Sequence, residues 1–165
     1  MSIPKHVFIS WMALLNRLPT MDRLALWGME VRGQCYLCQE ELESRDHLFF
    51  GCRYSKNIWK QILQLCGLNR EVGTWSSELE WALRKIKGKS LISIILSMAW
   101  KALVYHVWRE RNRRMHNQAN ETVLQVFECI KKEIRIKLAG LLNVKGDDVN
   151  RKLCRNWGLN IELLS

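Results

Sequence analysis

The sequence is poor in the residues that form long irregular segments, with only two prolines and nine glycines among 165 residues. It contains no internal repeat and no low-complexity tract. Runs of alternating apolar and polar residues, which would predict β-strands, are also missing. These absences argue against long linkers, repeat architectures and all-β folds. For a chain of this length, we expect one domain, or one domain with a helical tail.

The sequence also lacks an apolar run long enough to cross a bilayer, which needs about 20 residues. The run Leu91–Trp100 has about ten, and Lys101 interrupts its continuation. The run from Val7 to Leu15 resembles a short signal segment, but no small-residue cleavage site follows it. We therefore expect buried helices, no membrane contact and an intracellular location, with the nucleus favoured over the cytoplasm. The first 21 residues contain no acid, which leaves organelle targeting open.

Acidic residues are scarce relative to basic ones, with 16 Asp plus Glu against 26 Lys plus Arg and a net charge of +10. Such an excess favours a polyanionic partner, namely RNA, DNA or an acidic membrane surface. The alternative is a solvated basic surface that only aids solubility. Eight tryptophans and 48% apolar residues predict a packed core rather than disorder.

Apolar residues recur at helical spacing over most of the chain, which predicts a mainly α fold. Helices are expected over about 4–18, 20–28, 54–66, 77–87, 90–117 and 122–142, and in a short segment around Leu153 and Trp157. Ser77 is the expected N-cap of the fourth helix. The helix 90–117 is apolar nearly all round, so it should be central, with its basic end leaving the core. The tryptophans on apolar stripes are expected in the core: Trp11, Trp27, Trp59, Trp81, Trp100 and Trp108.

The segment 30–52 loses the helical period and contains the pattern Cys35-x2-Cys38-x8-His47-x4-Cys52. A Cys-x-x-Cys turn can direct two sulfurs at one point, and three thiolates with one imidazole suit zinc. Four protein ligands leave no open position, so the single zinc ion should be structural. A redox Cys pair and four unrelated positions are the alternatives. Free thiolates at metal-ligand spacing fit a reducing compartment.

These features divide the chain into a zinc-binding domain over residues 1–67 and a helical C-terminal region over residues 68–165. The first contains a helix, the CCHC zinc-knuckle loop and a second helix, and a short β-hairpin fits within 33–42. The second contains the long apolar helix 90–117 and the basic helix 122–142.

Three stretches carry a family resemblance: PKHVFISWMA at 4–13, NRLPTMDRL at 16–24 and DHLFFGC at 46–52. With the Cys-x-x-Cys pair, they resemble the zinc-binding domain that follows the reverse transcriptase in plant LINE-type (non-LTR) retrotransposons. The resemblance covers about residues 4–60 and implies the same four zinc ligands and nucleic-acid engagement. The stretch VWRERN at 107–112 is a shorter match to a downstream part of such elements. No Tyr-x-Asp-Asp polymerase motif occurs in the sequence, so we expect a non-enzymatic module derived from such a polyprotein.

Two basic runs and one aromatic residue are candidates for nucleic-acid contact. They are Arg109, Arg111, Arg113 and Arg114 at the end of the long helix, Lys131, Lys132 and Arg135 on the next helix, and Tyr36 in the Cys-x-x-Cys turn. Arginines can follow phosphates, and an exposed aromatic can stack on a base. The alternatives are a solvated helix end in which Glu110 pairs with Arg114, and a tyrosine packed on its own loop. A structural or protein-interaction domain that packs on a polymerase core is the competing function.

Overall fold

The computed structural model describes residues 3–140 and 145–160, which form a mainly α fold without a β-strand in those ranges. The helices there are α1 (Pro4–Leu14), α2 (Met21–Leu26), a π-helix (His47–Gly51), α3 (Arg53–Leu65), α4 (Trp75–Ile86), α5 (Leu91–Met115), α6 (Val123–Leu138) and α7 (Asp148–Trp157). The predicted fold class is confirmed. Residues 141 and 142, which were predicted as the end of α6, lie outside the described residues.

Side-chain caps fix where several helices begin. Ser90 accepts a hydrogen bond from the Ser93 backbone N–H at the start of α5. Thr122 and Gln125 form a reciprocal capping box at the start of α6. The cap of α4 is Thr74, which accepts from the Ser77 N–H. The prediction that Ser77 is the cap was therefore wrong, because the helix begins three residues earlier with Trp75 buried in its first turn.

Helix α5 is the central element and packs against α1, α4, α6 and the π-helix. By length and composition it could cross a membrane, but 72% of its most apolar window is buried inside the protein. This burial explains why α5 has no polar face in its first two-thirds: neighbours cover it on all sides. The core position predicted for this helix is confirmed.

Four aromatic rings join the metal-binding segment to the helical region. Phe50, at the end of the π-helix, lies 4.7 Å from the Trp100 ring of α5 and 5.8 Å from the Trp75 ring of α4, measured between centroids. Trp59 of α3 meets Trp100 edge to face at 5.7 Å. One continuous core therefore crosses the proposed boundary at residue 67. The two-domain division itself stays a prediction.

Two tryptophans do not lie in the core, contrary to expectation. Trp11 is 50% exposed on α1, and Trp27 is 56% exposed just after α2. The other face of α1 packs on α5 through His6, Ser10 and Ala13. The prediction for Trp11 was wrong because helical spacing shows which residues share a face but not which face is buried, and α1 buries a face that contains two polar residues.

Candidate metal centre and the basic end of α5

The Cys-x-x-Cys segment is held by a narrow backbone turn. The Cys35 N–H donates to the Glu41 carbonyl at 2.8 Å, and the Glu43 N–H donates to the Gly33 carbonyl at 2.8 Å. Gly33 has φ +75°, a conformation that glycine adopts without strain. The only antiparallel bridge in the described ranges joins Gln34 to Leu42, so the predicted hairpin is reduced to this single pair. The turn directs Cys35 and Cys38 to the same side.

The other two ligands are placed by one turn of π-helix. Its hydrogen bond runs from the Cys52 N–H to the His47 carbonyl, five residues earlier. This spacing brings His47 and Cys52 onto one face of the turn. In an α-helix, two residues five apart would not share a face. Cys52 then serves as the N-cap residue of α3. The x4 spacing in the sequence is therefore the signature of a π-turn rather than of an irregular loop.

The four ligand atoms meet in a buried cluster in which all lie within 4.8 Å of one another. The Cys35 and Cys52 sulfurs are 4.0 Å apart, and the Cys38 sulfur is 3.3 Å from His47 Nε2. For Zn–S bonds of about 2.3 Å, the edge of a tetrahedron is about 3.8 Å. The donor set and its spacing therefore fit one zinc ion. Because all four positions are filled by protein, the ion is structural.

Hydrogen bonds among the ligand side chains shift the pKa values of Cys35, His47 and Cys52. The side-chain hydrogen bond with Cys52, followed by burial, raises the pKa of Cys35 to about 12. The same bond lowers the pKa of Cys52, and the Tyr54 backbone N–H adds to this despite burial. Hydrogen bonds with Cys35 and Cys38, which outweigh burial, raise the pKa of His47 to about 9. Zinc must therefore displace protons from Cys35 and His47 when it binds.

Glu41 lies beside the histidine ligand on the side away from the sulfurs. Its carboxylate is 3.4 Å from His47 Nδ1, while His47 Nε2 faces Cys38. A carboxylate at this place fixes the ring orientation and the tautomer that leaves Nε2 free for the metal. Two arginines that flank the ligands in sequence, Arg45 and Arg53, pair with carboxylates rather than with the thiolates. Arg45 bonds Asp46, and Arg53 pairs with Glu40 at 2.9 Å.

The basic end of α5 does not leave the core, and the prediction that it would was wrong. Arg111 is 1% exposed and its guanidinium contacts both carboxylate oxygens of Glu43, with an Nη2–Oε1 distance of 2.8 Å. Glu43 lies between Cys38 and His47 in the sequence and is itself fully buried. Its carboxylate accepts a hydrogen bond from the Met21 N–H at 3.1 Å. Arg111 therefore ties the metal loop to α5 and is not available to a nucleic acid in this arrangement.

The neighbouring arginines are held by two further glutamates. Arg114 bonds the fully buried Glu110 at 2.8 Å and also donates to the Leu37 carbonyl, inside the Cys-x-x-Cys turn, at 3.0 Å. Arg109 and Arg113 both pair with Glu121. The alternative of a solvated helix end with a Glu110–Arg114 pair is correct for the pair but not for its solvation, because Glu110 is fully buried. The VWRERN stretch thus supplies ion pairs that fasten the metal loop and the segment before α6.

Tyr36 is half-buried rather than presented to solvent. The Arg111 guanidinium lies 5.5 Å from the centroid of its ring, and the Tyr36 N–H approaches Glu43 Oε2 at 3.5 Å. One face of the ring is therefore taken by a protein cation. The role of Tyr36 in base stacking stays a prediction.

The second basic run has a different environment. Lys132 and Arg135 are exposed on α6, and both line a groove of about 790 Å³ that continues past Gly158 to Asn160. Lys131 is half-buried over the Phe127 ring at 6.0 Å. Within residues 3–140 and 145–160, neither Lys132 nor Arg135 forms an ion pair. These two side chains are the free cations among the predicted candidates.

Sequence reasoning missed the glutamates that organise this centre. They are Glu41, Glu43 and Glu121, which face His47 or the arginines of α5. It also missed three exposed lysines at the end of α4 and just after it, Lys85, Lys87 and Lys89. The lysines were visible as a RKIKGK run at 84–89. The glutamate pairings join positions up to 68 residues apart, which no local pattern could show.

Comparison with known families agrees with this site. Residues 1–59 match the family model described as zinc-binding in reverse transcriptase. The match covers the first part of the chain and includes the four clustered ligands. Neither the comparison with curated proteins nor the comparison with solved structures gave a match. The zinc-binding domain and its single structural zinc ion are thus supported by the matched family and by the buried Cys₃His geometry.

Proposed function

We propose that this chain is a non-enzymatic zinc-binding module that binds RNA or DNA, derived from the C-terminal part of a plant LINE-type reverse transcriptase. The family match supports a link to reverse transcriptase, and the closed Cys₃His site supports a structural role for the metal. Nuclear action and engagement of nucleic acid belong to the same proposal. The main observation in its favour is a basic surface made of exposed cations that do not take part in the internal ion pairs.

That surface lies on α6, and on the last turn of α4 with the segment that follows it. The four arginines near the end of α5 are paired with buried or half-buried glutamates, so they add little to the positive potential at the protein surface. Lys132 and Arg135 remain exposed along the α6 groove. Lys85 in the last turn of α4, and Lys87 and Lys89 after it, are also exposed. Exposed cations that form no ion pair within the described part of the chain attract phosphates with little sequence preference.

The test measures binding of fluorescent single-stranded RNA, single-stranded DNA and duplex DNA by anisotropy over a range of salt. Log K should fall linearly with log salt, by about 0.7–0.9 per phosphate contact. The double variant Lys132→Gln/Arg135→Gln should bind about tenfold more weakly and lower the slope by about 1.4–1.8.

The matched control is Lys60→Gln/Arg53→Gln, which removes the same charge from α3. Both residues are exposed and paired with glutamates, Lys60 with Glu71 and Arg53 with Glu40. This control should change affinity by less than half as much. A salt-independent affinity, or equal losses in both double variants, would contradict the proposal.

A second function, docking on a polymerase core or another protein, is favoured by a specific surface. An apolar strip on α1 and after α2 is open to solvent, with Phe8 57%, Trp11 50% and Trp27 56% exposed. Leu26, which lies at the end of α2, is 82% exposed. Large aromatic side chains exposed at a surface are typical of protein interfaces.

Light scattering of the isolated chain separates this function from the first. The apolar strip should cause concentration-dependent self-association, which Phe8→Gln/Trp11→Gln should abolish. The control Leu83→Gln/Ile136→Gln changes two exposed apolar residues on separate helices, 56% and 64% exposed, and should leave association unchanged. A wild-type chain that stays monomeric at high concentration would count against the docking function.

A further inference from the structure

A second cluster of metal-ligating side chains lies away from the cysteines. His6 of α1, His106 of α5 and Glu133 of α6 place their ligand atoms within 4.8 Å of one another. His106 is fully buried, and His6 is 3% exposed. The Glu133 Oε2 atom is 2.9 Å from His106 Nε2 and 3.4 Å from His6 Nε2. Three helices far apart in sequence therefore converge on one carboxylate oxygen.

Protein hydrogen bonds do not satisfy this cluster. Within the described ranges, His6 Nε2 and His106 Nδ1 are buried without a hydrogen-bond partner. A buried polar atom left unpaired costs about 1–3 kcal/mol. Since one Glu133 oxygen faces both Nε2 atoms, a hydrogen bond to His106 leaves His6 with only the longer contact. Two imidazoles that aim at one carboxylate oxygen are better suited to a shared cation.

We propose that His6, His106 and Glu133 form a second binding site for a divalent cation of the zinc type, independent of the Cys₃His centre. Zn–N and Zn–O bonds of about 2.0–2.1 Å give a tetrahedral edge of about 3.4 Å. The 3.4 Å separation of His6 from Glu133 matches this edge. The His106–Glu133 distance must widen by about 0.5 Å, a shift that a glutamate side chain on α6 can make.

The fourth position of this site is open. A small cavity of about 10 Å³ adjoins His6 and Glu133 and is otherwise lined by Ile3, Met98, Lys101, Ala102 and Ile134. A volume of this size holds about one water molecule. Two histidines, one glutamate and a water form the coordination seen in zinc sites with an exchangeable position. The site therefore differs in kind from the closed cysteine centre.

The local charges allow a cation. Burial, which outweighs the attraction of Glu133, lowers the pKa of His6 to about 4. Burial likewise lowers the pKa of His106. Neutral imidazoles are the form that binds metals. The nearby cations are engaged elsewhere, since Lys5 lies over the Tyr105 ring at 4.8 Å and Arg109 bonds Glu121 at 2.8 Å. Lys101 donates to Ser97 at 2.9 Å.

Metal stoichiometry tests the proposal on the full chain with zinc alone as the probe. Equilibrium dialysis at micromolar free zinc should give two ions per wild-type chain. Glu133→Gln and His6→Gln should each retain only one ion. The control Glu128→Gln removes an exposed carboxylate from the same helix, α6, and should retain two. Cobalt titration adds a spectroscopic readout, because a site without cysteine contributes d–d absorption but no sulfur charge-transfer band.

Histidine NMR keeps the test valid if a variant folds poorly. The ring resonances of His6 and His106 in the wild-type chain should shift only with the second zinc equivalent, while those of His47 shift with the first. One ion per wild-type chain, a second ion that survives in both variants, or unshifted His6 and His106 resonances would overturn the proposal. None of these outcomes bears on nucleic-acid binding, so the two proposals fail separately.

Discussion

Single glutamates in the metal loop have distinct roles, which their partners define. Glu40 is exposed and pairs with an exposed arginine. Glu41 faces the Nδ1 atom of His47, and Glu43 is fully buried against Arg111. Three nearly adjacent residues of the same type therefore contribute to the surface, to the metal ligand and to the core, respectively.

Replacing Glu41 with Gln should weaken zinc binding about tenfold, because outer carboxylates that orient a ligating histidine are worth about 10–100-fold in affinity. The exposure of Glu41, 71%, places the effect at the low end of that range. Competition with a chromophoric chelator measures it. Glu40→Gln, one residue away, should leave affinity unchanged. Equal affinities of the Glu41→Gln and wild-type proteins would show that the 3.4 Å contact does not orient His47.

Replacing Glu43 with Gln should destabilise the fold by about 3–5 kcal/mol, the usual cost of leaving one partner of a buried ion pair without its counter-charge. Arg111 is 1% exposed, so water cannot compensate it. Denaturant unfolding at saturating zinc measures this loss. The same substitution at Glu40 should cost less than about 1 kcal/mol, since its pair is exposed. A loss for Glu43→Gln as small as this control would contradict the structural role of the pair.

At the scale of helices, local sequence patterns were sufficient to predict some features of the structure and not others. The capping box at Thr122 and the spacing of Cys35, Cys38, His47 and Cys52 are local patterns, and the structure contains both helix and cluster. Burial of the end of α5 could not be predicted, because it depends on Glu43, 68 residues away from Arg111. A run of arginines looks the same in sequence whether it faces water or buried carboxylates.

Helices α3 and α4 are joined by one buried carboxylate, Glu78. It accepts hydrogen bonds from Trp59 Nε1 at 2.9 Å and the Gly73 N–H at 2.7 Å, and it pairs with Arg70. Burial alone would raise its pKa, but these donors, with Arg70 foremost, lower it overall. The folded state therefore binds the Glu78 proton less readily than the unfolded state.

This shift gives Glu78 a stabilising contribution that is present above its unfolded pKa, about 4.5, and is lost as pH falls below it. Glu78→Gln should therefore cost about 1–3 kcal/mol at pH 7, and the difference from wild type should shrink towards pH 3. Unfolding of both proteins across this range measures it, and zinc release by acid affects both alike. The exposed Glu80→Gln serves as control. A difference that does not change with pH would contradict the assignment.

For the whole molecule, the question is how far the zinc site supports the rest of the fold. Structural zinc supplies about 10–16 kcal/mol of apparent binding energy in small sites. The metal loop also shares side-chain contacts with distant helices, through Glu43–Arg111, Arg114–Leu37 and Phe50–Trp100. In contrast, α3 also packs on α5 and α6, and its residues Ile58 and Ile62 are fully buried.

Removal of zinc should therefore unfold the molecule in part. Amide exchange after chelation, or in Cys38→Ser, should rise over residues 33–52 and over 109–115, the end of α5 that is fastened to the loop. The amides of helix α3 and of the first half of α5 should stay protected from exchange. The reason is that the rings of Trp59 and Trp100, 5.7 Å apart, pack in a core that does not depend on the metal. Cys66→Ser, a buried cysteine outside the cluster, is the control and should keep its zinc. Uniform loss of protection would mean that zinc holds the entire fold, and unchanged exchange over 33–52 would mean that the loop is ordered without it.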